Sequence, residues 1–216
     1  MIKDVLRKFV PNFLLQQRSI VLRLGPRAGW IYAKLRLFDL LGFRSVNGRM
    51  PPTGARSFVF VCFGNIMRSA MAEFLMLKMV SETAPERAHA LCIMSAGLHT
   101  AAGREAHPWA QEAALDLGIS LAGHRSKPLT REMVEQAECI FAMDFQNKAE
   151  LLTLYPEADS KIYMLSAYAE GPSRYREIPD PYNTDLERTR ACGRHLRTCI
   201  GNLIEVQVPA APATSK

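Results

Sequence analysis

The chain has 216 residues, 48% of them apolar, which is enough for one domain with its own core plus additional material. No window approaches the run of about 18 apolar residues that a membrane span needs, and five scattered cysteines make no disulfide framework, which points to a reducing compartment. The net charge of +6 is uneven: residues 1–50 hold ten Lys and Arg against Asp4 and Asp39, whereas residues 51–216 hold seventeen against nineteen acids.

The basic segment comes first. Ile2, Val5, Leu6, Phe9 and Val10 recur at helical spacing, with Lys3, Arg7 and Lys8 between them. Pro11 and then Gly25-Pro26 interrupt the pattern. A second amphipathic stretch over 30–43 sets Ile31, Leu35, Phe38 and Leu41 near one stripe, with Arg27, Lys34, Arg36 and Arg44 around it. Basic amphipathic helices with aromatic residues suit an anionic membrane surface. The same spacing suits a helix that packs on its own domain or on a second copy, and both readings stay open. No base-stacking pattern points to nucleic acid. The N-terminal apolar stretches are broken by Arg and Lys and lack a small-residue cleavage site, so they do not read as a secretory signal. The expected location is cytoplasmic, with residues 1–50 as a candidate peripheral contact at the inner face of the membrane. Gly48 to Gly54, with Pro51 and Pro52, marks a linker. The expected organisation is a helical extension over 1–50, a linker over 51–56, a domain over 57–208 and a flexible tail over 209–216.

From Ser57 onward, strand-like and helical segments alternate. Strands are expected at 58–61, 92–94, 139–143 and 161–165, with Ser95-Ala96-Gly97 closing the second. Helices are expected at 70–81, at 107–117 with Pro108 in the first turn and Gly118 at its end, and at 130–137 with Thr130 as cap. Further helices are expected from Asp144 through Leu154 and from Thr184 to about Val206. The alternation predicts an α/β fold: a three-layer sandwich with a central four-stranded parallel sheet, helices on both faces and an N-terminal helical extension. Cys192, His195 and Cys199 would share one helix face. Tetrahedral metal ligation needs a second element, so buried packing is the better reading.

One stretch carries chemistry. Val59-Phe60-Val61 enters Cys62, and Arg68-Ser69 follow where a helical pattern begins. Strand, tight loop and helix N-terminus form a nest of N–H groups that suits an anion, and a thiolate there is a nucleophile. The arginine offers a planar fork for two phosphate oxygens. A cysteine ending a buried strand is more often a small core residue, so the loop needs support from elsewhere in the chain. That support is Asp180, between Pro179 and Pro181, whose carboxyl is aimed by a constrained loop and can serve as the acid that protonates a departing oxygen. Alone it would read as an ordinary turn. Tyr182 beside it can wall a pocket for an aromatic ring.

Together, the loop Cys62-Phe63-Gly64-Asn65-Ile66-Met67-Arg68-Ser69 and the later Asp180-Pro181-Tyr182 resemble the low-molecular-weight protein tyrosine phosphatases. Ser95-Ala96-Gly97, Gly123-His124-Arg125 and Ala142-Met143-Asp144 match between them, and the likeness covers about residues 57–206. The resemblance implies that Cys62 attacks phosphorus to give a phosphocysteine. It implies that Arg68 and the N–H groups of residues 63–68 hold the phosphate oxygens, and that Asp180 protonates the leaving tyrosine and then activates water. Ser69 would donate to the Cys62 sulfur, and Asn65, Ser95 and His124 would brace the loop. Phe63, Gly64, Asn65, Ile66, Met67 and Tyr182 would contact substrate, with no metal and no cofactor.

Departures from the family pattern narrow the type. Met67 stands where a second cysteine is common, so an oxidised Cys62 would lack a neighbouring resolving thiol. Ala70 replaces a common proline, and Asn183 replaces a second aromatic residue. Asn183, Ile178-Pro179 and Leu98 are nearest to bacterial members that serve exopolysaccharide or capsule systems. The implied substrate is a phosphotyrosine protein, with a membrane-associated bacterial tyrosine kinase as candidate. Arsenate reduction lacks its cysteine relay, since nothing follows Cys139 until Cys192. Phosphoarginine phosphatases tend to carry threonine where Ile66 stands. A binding module with a dead site would not need Cys62, Arg68, Ser69 and Asp180 all intact.

Overall fold

The computed structural model describes residues 12–43, 49–171 and 177–208, with side chains described from residue 17. Four strands, β1 (Ser57–Cys62), β2 (Cys92–Gly97), β3 (Cys139–Ala142) and β4 (Ile162–Met164), form one parallel sheet in the order β2-β1-β3-β4. The strand residues are β-branched, aromatic or sulfur-bearing, and β1 is buried on both faces, as parallel strands under helices must be. Phe58 and Phe60 point into one core, where Phe60 stacks on Phe141 at 5.7 Å and Tyr163 and Tyr168 close around the latter. That face is covered by α2 (Arg68–Thr83), α4 (Pro108–Asp116) and α7 (Leu186–Gln207), with the short α3 (Pro85–Ala88) following α2. Val59, Val61, Ile140 and Ala142 point the other way, onto α5 (Arg131–Gln136) and α6 (Phe145–Leu154). The three-layer α/β sandwich expected from the sequence is the fold.

Helix ends follow local chemistry. Thr130, Asp144 and Asp185 each accept a backbone N–H two or three residues into the helix that follows, the capping bond a helix N-terminus needs. The closing helix therefore starts after Asp185 rather than at Thr184. Helix α2 starts at Arg68, two residues earlier than expected, because the Met67 carbonyl already accepts from Met71. Strand β2 is longer than expected. It pairs with β1 through Cys62↔Gly97, so Ser95-Ala96-Gly97 is strand rather than its closing turn.

The largest difference lies before the domain. One helix, α1 (Asn12–Leu40), takes in the expected 30–43 stretch as far as Leu40, with a turn after it, and breaks at Gly25, whose φ of 77° leaves the helical region ahead of Pro26. The interruption was legible, but the buried stripe was not. Ala28, Tyr32 and Leu35 face inward, whereas Leu41 is exposed and Ile31 and Phe38 are only half-buried. The reason is the partner: α1 lies along α6, and Tyr32 and Leu35 join the core beneath it. The earlier apolar repeat at residues 2–10, Arg44 and the 209–216 tail lie outside the described residues. The 51–56 linker is tied down, since Gln207 donates to the Pro51 carbonyl and accepts from the Ala55 N–H. Cys192 and Cys199 are buried, with burial pushing both thiols up to about 12, as expected of packing residues.

Phe141, fully buried among three aromatic rings, joins β3 to the first core together with Cys139. Phe141→Ala is expected to lower unfolding free energy by about 3–5 kcal/mol, read by chemical denaturation.

Candidate functional site

Parallel strands open their C-terminal ends on the same edge, and there β1 delivers Cys62, 3% exposed, into the 63–67 loop ahead of α2. The Cys62 Sγ lies 3.0 Å from Ser69 Oγ and 3.3 Å from the Asn65 N–H, which donates to it. When the sulfur is a thiolate, the serine hydroxyl is the donor as well.

Asn65 organises the loop. It has the single positive φ among described non-glycine residues, 51°, a left-handed conformation that asparagine tolerates better than most side chains. Each of its polar groups is used. The side-chain amide donates to Ser69 Oγ at 2.9 Å and Ser95 Oγ at 2.7 Å, while Oδ1 accepts the Lys127 N–H at 2.8 Å. Its carbonyl accepts from His124 Nε2 at 2.7 Å, which requires a proton on that nitrogen. Ser95 in turn donates to the buried Glu73, a residue the sequence reading did not single out. Gly97 completes the fit. A Cβ there would sit 3.0 Å from both Gly64 C and Asn65 N and 2.9 Å from Thr100 Cγ2, so only glycine lets β2 approach the loop this closely.

Arg68 is 1% exposed at the start of α2. Its Nη1 donates to Asp144 Oδ2 at 2.6 Å and to the Ile178 carbonyl at 3.0 Å, and its Nη2 donates to Asp180 Oδ2 at 2.8 Å. Burial opposes the guanidinium charge, and the charges of Asp144, Asp180 and Cys62 outweigh it, holding the group above its ordinary value. Asp144 was visible in sequence only as part of a matching stretch. It caps α6 through Oδ1 and anchors Arg68 through Oδ2, two tasks on two oxygens.

Cys62, Arg68, Asp144 and Asp180 line one crevice of about 560 Å³, whereas Asn65, expected to contact substrate, is fully buried and does not line it. Cys62, Phe63, Gly64, Ile66, Met67 and Arg68 form its floor, and Asp180, Tyr182 and Asn183 stand on one side. Tyr182 packs edge-on against His107, and Phe63 stacks on His99 at the rim. Ser69, Ser95 and His124 lie beneath the loop rather than in the crevice. Part of the lining was not foreseen: Ile20, Arg23, Tyr32 and Arg36 of α1. None of them belongs to the apolar stripe that helical spacing gave α1, and spacing could not say that the helix borders the crevice. Among the described residues, no cluster of His, Cys, Asp or Glu suits a metal ion.

Asn65→Ala strips three side-chain bonds from the loop and places a residue less suited to positive φ. The expected loss in kcat/KM is about 10- to 100-fold, with about 2 kcal/mol less stability, checked by steady-state kinetics and denaturation.

The family model for low molecular weight phosphotyrosine protein phosphatase matches residues 57–210, leaving α1 before its start. The low molecular weight protein-tyrosine-phosphatase Etp of Escherichia coli K12 is 33% identical over 126 residues, covering 58% of this chain and 77% of its own. A protein-arginine-phosphatase of Geobacillus stearothermophilus is 32% identical over 147 residues, 68% of this chain and 93% of its own. The solved YwlE arginine phosphatase from that organism superposes with a TM-score of 0.61 over 69% of this chain and 91% of that one, at 32% identity. The tyrosine phosphatase Wzb from Escherichia coli K30, solved with sulphate, gives a TM-score of 0.61 at 25% identity over 70% and 97% of the two chains. With the family's loop, its sheet and its extent all present, the chain belongs to the low molecular weight phosphotyrosine protein phosphatases and is a protein-tyrosine phosphatase.

Proposed function

We propose that the chain hydrolyses protein phosphotyrosine in two steps through Cys62. The observation that carries this reading is the convergence of Cys62 and Arg68 of one loop with Asp180, more than a hundred residues later in sequence, on one crevice. In the first step the Cys62 thiolate attacks phosphorus, the S–P bond forms and the P–O bond to tyrosine breaks. Asp180 gives its proton to the departing phenolate. Arg68, the N–H groups of residues 63–68 and the N-terminus of α2 hold the non-bridging oxygens as charge spreads over them. In the second step the Asp180 carboxylate takes a proton from water, the new O–P bond forms, and the S–P bond breaks. Inorganic phosphate leaves and the thiolate is restored. A phosphate dianion competes with Asp180 for Arg68 Nη2, so substrate binding itself frees the acid to face the leaving group.

Preference for a phenyl ring over a guanidinium rests on Ile66, an apolar residue of the crevice floor, and on Tyr182 at its side. Cys62→Ser is expected to abolish turnover of p-nitrophenyl phosphate, a loss on the order of a thousandfold or more. A phosphotyrosine peptide should be cleaved well ahead of a phosphoarginine peptide. No Cys62-dependent turnover of either would defeat the reading, and preference for phosphoarginine would reassign the substrate.

The proposed substrate is a membrane-associated bacterial tyrosine kinase, with the phosphatase cytoplasmic and peripheral at the inner face of the membrane. Support comes from the outer side of α1, where Leu22, Trp30, Leu37, Leu40 and Leu41 are exposed beside Arg18, Arg27 and Lys34. The protein is expected to sediment with phosphatidylserine-containing vesicles and not with neutral ones, and Trp30→Ser with Leu37→Ser should weaken this. Binding to neither vesicle, or equal binding by the variant, rules the membrane out. Concentration-dependent self-association lost in the same variant would assign the face to a second copy.

A further inference from the structure

We infer that the N-terminal helix is part of the catalytic apparatus, with Arg36 acting as a positioning residue for the acid loop through Glu177. The inference rests on Asp180 being the acid proposed above. It concerns residues that precede the shared domain, since the family match begins at residue 57.

The contact is built from both sides. Arg36 Nη2 lies 2.6 Å from Glu177 Oε2, with the two side chains 24% and 18% exposed. The guanidinium lies over the Phe145 ring at 5.2 Å and the Tyr32 ring at 5.8 Å, and its Nε donates to Tyr32 Oη and Gln17 Oε1, each at 3.2 Å. Tyr32 donates in turn to that same Gln17 oxygen. A planar cation stacked between rings and bonded at its edge has little rotamer freedom left, so it presents Nη2 in one direction. Surface ion pairs contribute little, but this one is mostly enclosed and held by several partners.

Glu177 passes the constraint on. Its Oε1 accepts the Phe145 N–H at 2.8 Å, at the start of α6 and beside Asp144. The next residue, Ile178, is fully buried, donates its N–H to the Met143 carbonyl at 2.8 Å and accepts from Arg68. Two residues later comes Asp180. The acid loop is thus pinned at 177 by α1 and α6, at 178 by β3's exit and Arg68, and at 180 by Arg68 and by the Tyr182 N–H, which donates to Asp180 Oδ1 at 3.3 Å. The Tyr182 bond lies within the loop itself, so when phosphate takes Arg68 Nη2 the 177 and 178 anchors are what still tie the loop to the rest of the domain. Of these, Arg36 is the anchor that also offsets charge. Burial raises the Glu177 pKa and Arg36 opposes that rise, with Asp144 and Asp39 adding to it. Without Arg36, a carboxylate close to Asp144 is left without its cation, and the loop root is free to shift away.

A merely structural role would lower all rates together, whereas a role through the acid depends on the leaving group. Phenyl phosphate, with a basic leaving oxygen, needs the proton more than p-nitrophenyl phosphate does. In the full-length protein, Arg36→Gln is expected to lower kcat/KM about 10-fold on phenyl phosphate and less than about 3-fold on p-nitrophenyl phosphate, the pattern of a weakened general acid. Asp180→Asn should give the same selectivity in larger measure. Glu177→Gln, which keeps the shape, should reproduce the Arg36→Gln pattern, the double variant should lose no more than either single one, and Arg36→Lys should recover part of the loss. Equal losses on both substrates, or none, in Arg36→Gln and Glu177→Gln while Asp180→Asn is selective would overturn the inference alone. An unselective Asp180→Asn would overturn the acid assignment and this inference with it.

Discussion

A guanidinium that is 1% exposed has to be compensated, and the architecture around Arg68 follows from that need. Removing such a cation from water costs several kcal/mol unless charge and hydrogen bonds replace the lost hydration. Asp144 arrives at the end of β3, Asp180 from the loop before α7, and the Ile178 carbonyl lies between the two in space. Two segments far from Arg68 and from each other in sequence are drawn to one point by a single buried charge. The arrangement also sets a condition on catalysis. If Asp180 is the acid, as proposed, it cannot both neutralise Arg68 and give a proton to a leaving group, so the arriving phosphate has to replace it. Asp144 has no such second duty in that proposal and can hold Arg68 throughout.

The loop is stabilised by different means. Its conformation is unfavourable for the chain, with Asn65 in the left-handed region, and it persists because the surroundings satisfy every polar group Asn65 has. Ser95 and Gly97 come from β2, His124 and Lys127 from the following loops, and Ser69 from α2. Each contact reaches the loop from below or behind. The crevice face is left to Cys62 and the substrate, which is how a site can be rigid without being filled.

The sequence carried the parts whose chemistry is local. Cys62, Arg68 and Asp180 could be singled out only together, since alone the cysteine reads as core and the aspartate as a turn, while the loop and the later Asp-Pro-Tyr jointly carry the family resemblance. The α/β alternation follows from periods of hydrophobicity. Gly25-Pro26 was readable as a break because proline and glycine act on their own backbone. What could not be read depends on pairing. The extension of β2 through Gly97 follows from its register against β1. Glu73 looks like any helix-surface glutamate until Ser95 is seen beside it. Asp144 reads fully as an N-cap, and nothing local says that its other oxygen holds Arg68. The stripe expected on α1 assumed an ordinary apolar face, but the surface it meets on α6 keeps only Leu35 of that stripe as buried and adds Ala28 and Tyr32.

That last mismatch has a geometric consequence. Arg36 turns toward the crevice, and Leu37, one residue and about 100° further round, is exposed on the other side with Trp30. A helix is only about 10 Å across with its side chains, so whatever occupies the outer face of α1 lies within that distance of the wall that borders the catalytic crevice. The break at Gly25 falls between Arg23 and Tyr32, both wall residues, so the two halves of α1 meet the crevice from different directions. Contact on the outer face would bear on the same short rod that carries Arg36 and, through Glu177, the root of the acid loop. On the proposed mechanism the domain's own residues supply nucleophile, cation and acid, and α1 would add a route by which the enzyme's surroundings reach the acid, the one group that mechanism requires to move.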